Sequence, residues 1–211
     1  VLNEIEIPKL GKKQHGKVRD FFILPDRRIT ITTDRQSAFD VNLGHIPFKG
    51  AVLNQLAAFW FEKTKAIVPN HMISVPHPNV LISHNCEPIP VEMVVRGYIS
   101  GVTKTSIWYS YERGERIIYG LKFPEGLKKN QELQTPVITP TTHGGGVGGH
   151  DERLTREQII NKKIVPEKIY KEMERVSLEL FALGSKHCKK NGLILVDTKY
   201  EFGRTADGRV V

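Results

Sequence analysis

Apolar and polar positions alternate through VRDFFIL (18–24) and RITITT (28–33) around a PDR turn, which predicts a β-hairpin within residues 16–33. Helical spacing takes over at 51–65. There Val52, Leu53, Leu56, Phe59 and Trp60 predict a packed helix. Five prolines between 69 and 90 allow short strands at most, and VEMVVRG (91–97) reads as a strand. From 120 to 150 the chain is rich in Gly, Pro and Thr, and a long excursion or lid is expected rather than a core element. Thr155 and Gln158 make a capping box for a short helix. A longer helix follows, with Pro166 near its first turn and Ile169, Met173, Val176, Leu180 and Leu183 along one stripe. Asn191-Gly192 serves as its C-cap and delivers the chain into LILVDTKYEFG (193–203). The four apolar residues there predict a strand covered on both sides. Strands first and mixed elements later predict an α+β fold with two lobes.

Composition narrows the class. A chain of 211 residues, 39% hydrophobic, can bury a real core as one large domain or two small ones. No apolar run approaches the roughly 18 residues of a membrane span, and VLNEIEIPKL lacks the continuous apolar stretch of a signal peptide. Cys86 and Cys188 are too few for a disulfide framework or a cysteine-rich zinc site. A soluble cytoplasmic protein is expected. The net charge of +8, from 31 basic and 23 acidic residues, is dispersed. Its densest groups, KKQHGKVR (12–19) and KHCKK (186–190), lack interleaved aromatics, so small anionic substrates fit better than nucleic acid.

Four polar clusters carry candidate chemistry. Side chains alternate along a strand, so Asp197, Lys199 and Glu201 share one face and Thr198, Tyr200 and Phe202 the other. The plain reading is an exposed face with cross-strand salt bridges. The alternative is a site where two carboxylates and a lysine hold Mg²⁺ and a phosphate oxygen. In HGKVRD (15–20), Gly16 permits close approach of a ligand, and Lys17 and Arg19 are expected on one face of the following strand. That suits nucleotide phosphates, although no Gly-Lys-Ser/Thr ending makes it a Walker A loop, and a turn with a solvated basic strand is the plain alternative. TTDRQSAFD (32–40) collects Asp34, Arg35, Ser37 and Asp40 in an expected loop, where Asx and Ser turns are the plain reading. In PVEMVVRGYISG (90–101), Glu92, Val94 and Arg96 share a face. Arg96 is suited to bidentate phosphate contact, or to a salt bridge with Glu92. GGGVGGHDE (144–152) reads as a hinge whose His150, Asp151 and Glu152 lead into a helix or contact substrate.

GKVRD, TDRQSAFD, PVEMVVRGYISG, ITPTTHGGGVGGHDE and LILVDTKYEFG, in this order, resemble the phosphoribosylaminoimidazole-succinocarboxamide synthase (SAICAR synthase) family from about residue 11 to Val211. The resemblance implies an α+β, two-lobed fold. Residues 1–90 would be an antiparallel β lobe carrying the ATP phosphate loop. Residues 91–211 would be an α+β lobe with the substrate and Mg²⁺ sites, truncated at its C-terminal end, and ATP would lie in the cleft. The implied activity is ATP-dependent ligation of L-aspartate to the carboxylate of CAIR through an acyl phosphate, giving SAICAR, ADP and phosphate in de novo purine synthesis. Another ATP-dependent small-molecule phosphotransferase is the competing reading, and a non-enzymatic nucleotide-binding module a weaker one.

By the same resemblance, Gly16, Lys17, Val18 and Arg19 would cover the ATP phosphates and Glu201 would ligate Mg²⁺. Asp197 and Lys199 would be catalytic, facing the transferring phosphoryl group. Arg96 would hold the ribose phosphate of CAIR. Glu92 is counted with the cofactor-binding residues and, with Ser37 and Asp40, in the substrate region; His150 and Asp151 would contact aspartate or order the lid. The implied partners are CAIR, L-aspartate and ATP, with no nucleic acid and no membrane, in a cytoplasmic monomer or homodimer. Three departures from the family pattern stand out. Val102 replaces a serine, leaving Ser100 or Thr103 to take over a phosphate contact. HGGGVGG (143–149) stands where the family carries a lysine and an acidic residue. A downstream acidic Mg²⁺ ligand and a Ser-Ser-Arg substrate segment would lie past Val211. Because RVV (209–211) reads as the opening of another strand, the natural protein is expected to continue.

Overall fold

Three antiparallel strands open the chain, β1 (Lys13–His15), β2 (Arg19–Ile23) and β3 (Arg27–Thr32), and the β2–β3 pair is the hairpin that the alternation predicts. Next come β4 (Arg35–Ala38), β5 (Val41–His45) and α1 (Lys49–Thr64), then β6 (Met72–His77) and β7 (Val80–His84). The sheet order is β1-β2-β3-β7-β6, with β4 and β5 paired separately. Phe22 and Ile31 are buried on one face of it and Leu81 on the other. The computed structural model describes residues 1–38, 41–143 and 151–211.

Two expectations for this region need correction. TTDRQSAFD is not a loop at Arg35: that residue starts β4 and is buried, as is Asp34. Nor does α1 bury its apolar side, since Val52, Leu53, Leu56 and Phe59 are exposed while Gly50 and Asn54 are buried. The helix docks through its smallest and most polar positions. A Cβ on Gly50 would sit 2.2 Å from the Thr32 carbonyl oxygen, and the Asn54 amide donates to the Pro78 carbonyl at 2.9 Å. Close backbone approach sets which face turns inward, and the apolar spacing does not.

The long central strand β8 (Glu87–Ile99) starts earlier than VEMVVRG and runs through Pro88 and Pro90. Pro90 loses no necessary donor there, because its carbonyl is what it contributes, accepting from the His143 amide at 3.3 Å. After it come α2 (Ile107–Tyr111), the short pair β9 (Ile117–Ile118) and β10 (Leu121–Lys122), then β11 (Gln131–Ile138) and β12 (Thr141–Thr142). Both β11 and β12 pair antiparallel with β8. Residues 121–122, 131–138 and 141–142 are therefore strand and Phe123 is core, and only the exposed connection 124–130 answers to the expected excursion. Pro136 is accommodated because the β11 register shifts between Glu132 and Val137. Tyr119 and Phe123 pack with Ile99, Ile107, Tyr111 and Ile118. Residues 144–150, the remainder of that expected lid, lie outside the described residues.

The two remaining helices follow their sequence signals. Thr155 and Gln158 close the capping box of α3 (Arg156–Asn161) reciprocally, at 3.1 and 2.9 Å. In α4 (Glu167–Lys190) the buried line runs Tyr170, Met173, Val176, Phe181, Gly184, with Ile169, Leu180 and Leu183 half-buried beside it. Asn191 is the C-cap as expected. The next expectation fails. Strand β13 (Asp197–Arg204) begins only at Asp197, and Leu193 and Ile194 are 63% and 70% exposed instead of covered. Of that apolar run Leu195 packs inward, with its Cδ2 3.0 Å from where a Cβ on Gly184 would stand. Within β13 the alternation holds: Asp197, Lys199 and Glu201 face outward, and Phe202 is buried.

The chain divides into two units, Val1–Glu87 with Arg204–Val211, and Pro88–Gly203. The segment after Gly203 groups with the first unit rather than with the region it follows in sequence. Val210 makes an antiparallel bridge to Arg204 within it. Among the described residues, no helix is long and apolar enough to cross a membrane.

Candidate functional site

In the second unit, β8 aims Glu92 and Arg96 from the same face, two turns of the pleat apart. They do not pair with each other. Glu92 Oε1 accepts from Lys199 Nζ at 2.7 Å, and Oε2 accepts from the Thr141 hydroxyl at 2.8 Å. His143 Nδ1 lies 3.3 Å from Glu92 Oε1, and Lys199 Nζ also reaches Asp151 Oδ2 at 3.4 Å. Arg96 is engaged at each nitrogen: Nε donates to Thr139 Oγ1 at 2.9 Å, Nη1 to Asp197 Oδ2 at 3.2 Å and Nη2 to the Thr105 carbonyl at 3.2 Å. These three bonds, with the Tyr119 hydroxyl close by, orient the buried guanidinium.

The electrostatics follow from one buried and one open partner in each pair. Burial pushes the Glu92 carboxyl up, but the bonds from Lys199 and Thr141 outweigh it and hold the group below the usual carboxylate value. Burial pushes Lys199 down, and the facing Glu92 carboxylate reverses that, leaving the ammonium above its ordinary value. Burial lowers Arg96, against the pull of Asp197. Glu201 stands in the same neighbourhood, because ligand atoms of Glu92, His143 and Glu201 all lie within 4.8 Å of one another. The structure thus gathers Glu92, Arg96, Asp151, Asp197, Lys199 and Glu201 of the sequence-derived set. Ser100 is buried at the end of β8, Val102 is exposed, and the Thr103 hydroxyl bonds Ser106 Oγ at 2.8 Å. His150 lies outside the described residues.

In the first unit, the Gly16–Val18 segment is the turn between β1 and β2, so Lys17 sits in the bend and not on the strand with Arg19. Both side chains are exposed. The Gly16 amide donates to the Arg19 carbonyl at 2.7 Å, and the Val18 carbonyl accepts from the Thr33 amide at 3.0 Å. Arg35 pins the turn from beneath: its guanidinium donates to the carbonyls of Gly16 and Lys17 at 3.1 and 3.3 Å and to Asp20 Oδ1 at 2.7 Å. Asp34 takes backbone amides of Gly50 and Leu2 at 2.9 and 2.8 Å. Burial raises its carboxyl, and these donors bring it below the ordinary value, so it acts as a remote cap for the start of α1. Ser37 is half-buried on β4, and Asp40 lies outside the described residues.

Sequence reasoning missed Thr139, Thr141 and His143 as members of the site. Their signal was present in ITPTTH, where alternate polar residues on a strand beside β8 must face Glu92 and Arg96.

A family model described as SAICAR synthetase matches residues 12–211. The phosphoribosylaminoimidazole-succinocarboxamide synthase of Legionella pneumophila (strain Paris) is 50% identical over 210 residues, covering 100% of this chain and 66% of its own length. The chloroplastic enzyme of that name from Vigna aconitifolia is 45% identical over 97% of this chain and 59% of its own. Among solved structures, the SAICAR synthase of Saccharomyces cerevisiae complexed with SAICAR is 28% identical, with a TM-score of 0.85 over 100% of this chain and 75% of that one. A SAICAR synthetase (type 2) in complex with ADP is 25% identical, with a TM-score of 0.74 over 95% of this chain and 78% of its own. The chain spans just under two thirds of the length of the Legionella relative.

Proposed function

Since the chain belongs to the SAICAR synthetase family, we propose that it carries the ATP-dependent ligation of L-aspartate to the carboxylate of CAIR, giving SAICAR, ADP and phosphate in purine biosynthesis. The observation that carries this reading is the buried Glu92 carboxylate set between Lys199, Thr141 and His143, with Arg96 held by Asp197 along the same strand. The named ligands of two relatives, SAICAR and ADP, support the product and the nucleotide.

The reaction explains why such residues are needed. A carboxylate is a poor electrophile toward an amine. Transfer of the ATP γ-phosphoryl group to it makes an acyl phosphate, and attack by the aspartate amine forms the C–N bond and expels phosphate. Lys199 and Asp197 serve the transferring group, Lys199 by neutralising charge on its oxygens. Arg96 serves the ribose phosphate, and Ser37, Asp40, Ser100, His150 and Asp151 belong to the substrate region. Gly16, Lys17, Val18 and Arg19 take the nucleotide phosphates, on a turn that Arg35 holds rigid. Glu201 and Glu92 supply the carboxylate oxygens that a hard cation takes, so both fit Mg²⁺. Bound there, the cation would reduce the charge on phosphate oxygens. The compartment proposed is the cytoplasm, where ATP and purine precursors meet, while the Vigna relative is named chloroplastic.

The test is to mix the purified protein with ATP, Mg²⁺, CAIR and aspartate and to assay SAICAR. SAICAR formation that needs all four components is expected. ATP consumption indifferent to aspartate would mean a phosphotransferase, and absence of turnover with retained ATP binding would mean a binding module.

A further inference from the structure

Between β8 and α2 the chain runs through residues 101–106, beside the Arg96 end of the site. The shape of this loop is set from within. Gly101 has a φ of +91°, and a Cβ there would stand 2.3 Å from Ser106 Oγ. Ser106 Oγ accepts from the Thr103 amide at 3.1 Å and lies 2.8 Å from the Thr103 hydroxyl, and the Ser106 amide donates to the Thr103 carbonyl at 2.8 Å. The orientation of the loop is set from outside, through two neighbouring carbonyls. That of Thr105 accepts from Arg96 Nη2 at 3.2 Å and from the Tyr119 hydroxyl at 2.7 Å, and that of Lys104 accepts from Arg153 Nη2. We propose that Arg153 is a positioning residue for the substrate phosphate, holding residues 101–106 in their binding orientation through the Lys104 carbonyl. The inference rests on the proposed function, since it takes the Arg96 end of β8 for the ribose-phosphate subsite, and it adds to that subsite a residue 49 positions along the chain from Lys104.

Arg153 is anchored in the site before its side chain reaches the loop. Its backbone makes an antiparallel bridge with Thr141, whose hydroxyl donates to Glu92. Two residues earlier, Asp151 meets Lys199. The side chain then crosses to the loop, with its guanidinium carbon 5.5 Å from the Tyr119 ring centroid and Nη1 3.5 Å from Glu115 Oε2. One residue thus joins the strand beside Glu92 to the loop that follows Arg96.

A trans peptide points its carbonyl and the following amide in opposite directions. Fixing the Lys104 carbonyl on Arg153 therefore turns the Thr105 amide away from the guanidinium, as a donor of the kind a phosphate oxygen takes. Without Arg153, the bonds inside the loop and the two donors to Thr105 remain, so the loop keeps its fold and loses its aim. The ion pair with Glu115 is open to water, 30% and 49% exposed, so little stability depends on it. The loss should fall on the phosphate and spare the rest of the ligand.

The experiment titrates SAICAR and its dephosphorylated riboside into the full chain by calorimetry, with Mg²⁺-ATP as the control ligand. The native chain should prefer SAICAR to the riboside. Arg153→Met keeps an apolar stem over the Tyr119 ring and removes the donors. It should weaken SAICAR about tenfold and leave the riboside, ATP and the melting midpoint unchanged. Arg153→Lys returns one donor to the Lys104 carbonyl and should restore most of the preference. A full preference in Arg153→Met, an equal loss for SAICAR and the riboside, no recovery in Arg153→Lys, or no preference in the native chain would each overturn the proposal. Turnover is read apart from binding. A preference lost in Arg153→Met while the native chain makes no SAICAR would keep the role of Arg153 and sink the ligase reading, and normal turnover with the preference kept would do the reverse.

Discussion

Carboxylate–cation pairs in the two units, one in the first and two in the second, are built from the same chemistry and enclosed to different degrees. In the first unit Asp20 and Arg35 meet at 2.7 Å with both side chains sealed, 0% and 4% exposed. Arg35 spends its other donors on backbone carbonyls of Asn3, Gly16 and Lys17. In the second unit each pair has one sealed and one open member: Glu92 is 4% exposed against 42% for Lys199, and Arg96 8% against 45% for Asp197. A sealed pair can only hold the chain in place. A half-open pair holds one partner in position and leaves the other for a ligand, so the degree of enclosure separates scaffold from site where residue type cannot.

The largest effect expected from this contrast is on folding. Arg35→Ala leaves the buried Asp20 carboxylate with the exposed His15 imidazole, at 2.9 Å, in place of its sealed cation, and frees the turn at Gly16–Val18. A loss of about 3–5 kcal/mol is expected, read as a lowered denaturation midpoint at unchanged slope. A loss below about 1 kcal/mol would show that enclosure does not mark the structural pair.

The sealed pair also shows where sequence reading stopped. The elements governed by local rules were legible: the Thr155–Gln158 capping box, the stripe of α4, the β2–β3 hairpin and the alternation of Asp197, Lys199 and Glu201. Each depends on residues a few positions apart. Partners that fold from afar were not legible. Glu92 meets Lys199 across 107 positions and Arg96 meets Asp197 across 101, and nothing in PVEMVVRG distinguishes those contacts from a local Glu92–Arg96 bridge. Apolar spacing likewise says that a helix forms but not which face docks. For α4 the buried line takes in Met173 and Val176 of the predicted stripe and runs beside the rest; for α1 the tight approach at Gly50 overrides the spacing. The run Leu193–Val196 misled for the same reason, since burial depends on what stands opposite.

The second effect falls on turnover. Glu92→Gln keeps the shape and removes the charge that faces Lys199, so activity should drop by about a hundredfold or more. The denaturation midpoint should move far less than in Arg35→Ala. Steady-state SAICAR formation and a melting curve on the same preparation compare the two. A variant that turns over normally would return Glu92 to a structural role.

Arg96→Ala should come next. Losing one charge-assisted contact to a phosphate costs about 1.5–3 kcal/mol, or roughly ten- to a hundredfold in affinity. The loss is expected for CAIR and not for ATP. Arg96→Lys should not rescue it, because one ammonium cannot span Thr139, Asp197 and the Thr105 carbonyl together. Separate titrations decide the matter: equal loss for both ligands would indicate a folding defect, and loss confined to ATP would misplace the residue.

The smallest effect is on the pH dependence of stability. Glu92 sits below its unfolded value of about 4.3, so its contribution is complete above that pH and fades as pH falls through the lower folded value. Lys199 sits above its unfolded value of about 10.4, so its contribution is complete below that pH and fades as pH rises through the higher folded value. Between those limits the half-open pair should be insensitive to pH. Solvent screening of Lys199 keeps the whole effect small. Denaturation midpoints of the native chain and Glu92→Gln should therefore differ by a constant amount from about pH 5 to pH 9 and converge in stronger acid and in stronger base. Curves that diverge near neutrality would mean that the Glu92 carboxyl takes up a proton there, and that Lys199 does not hold it ionised.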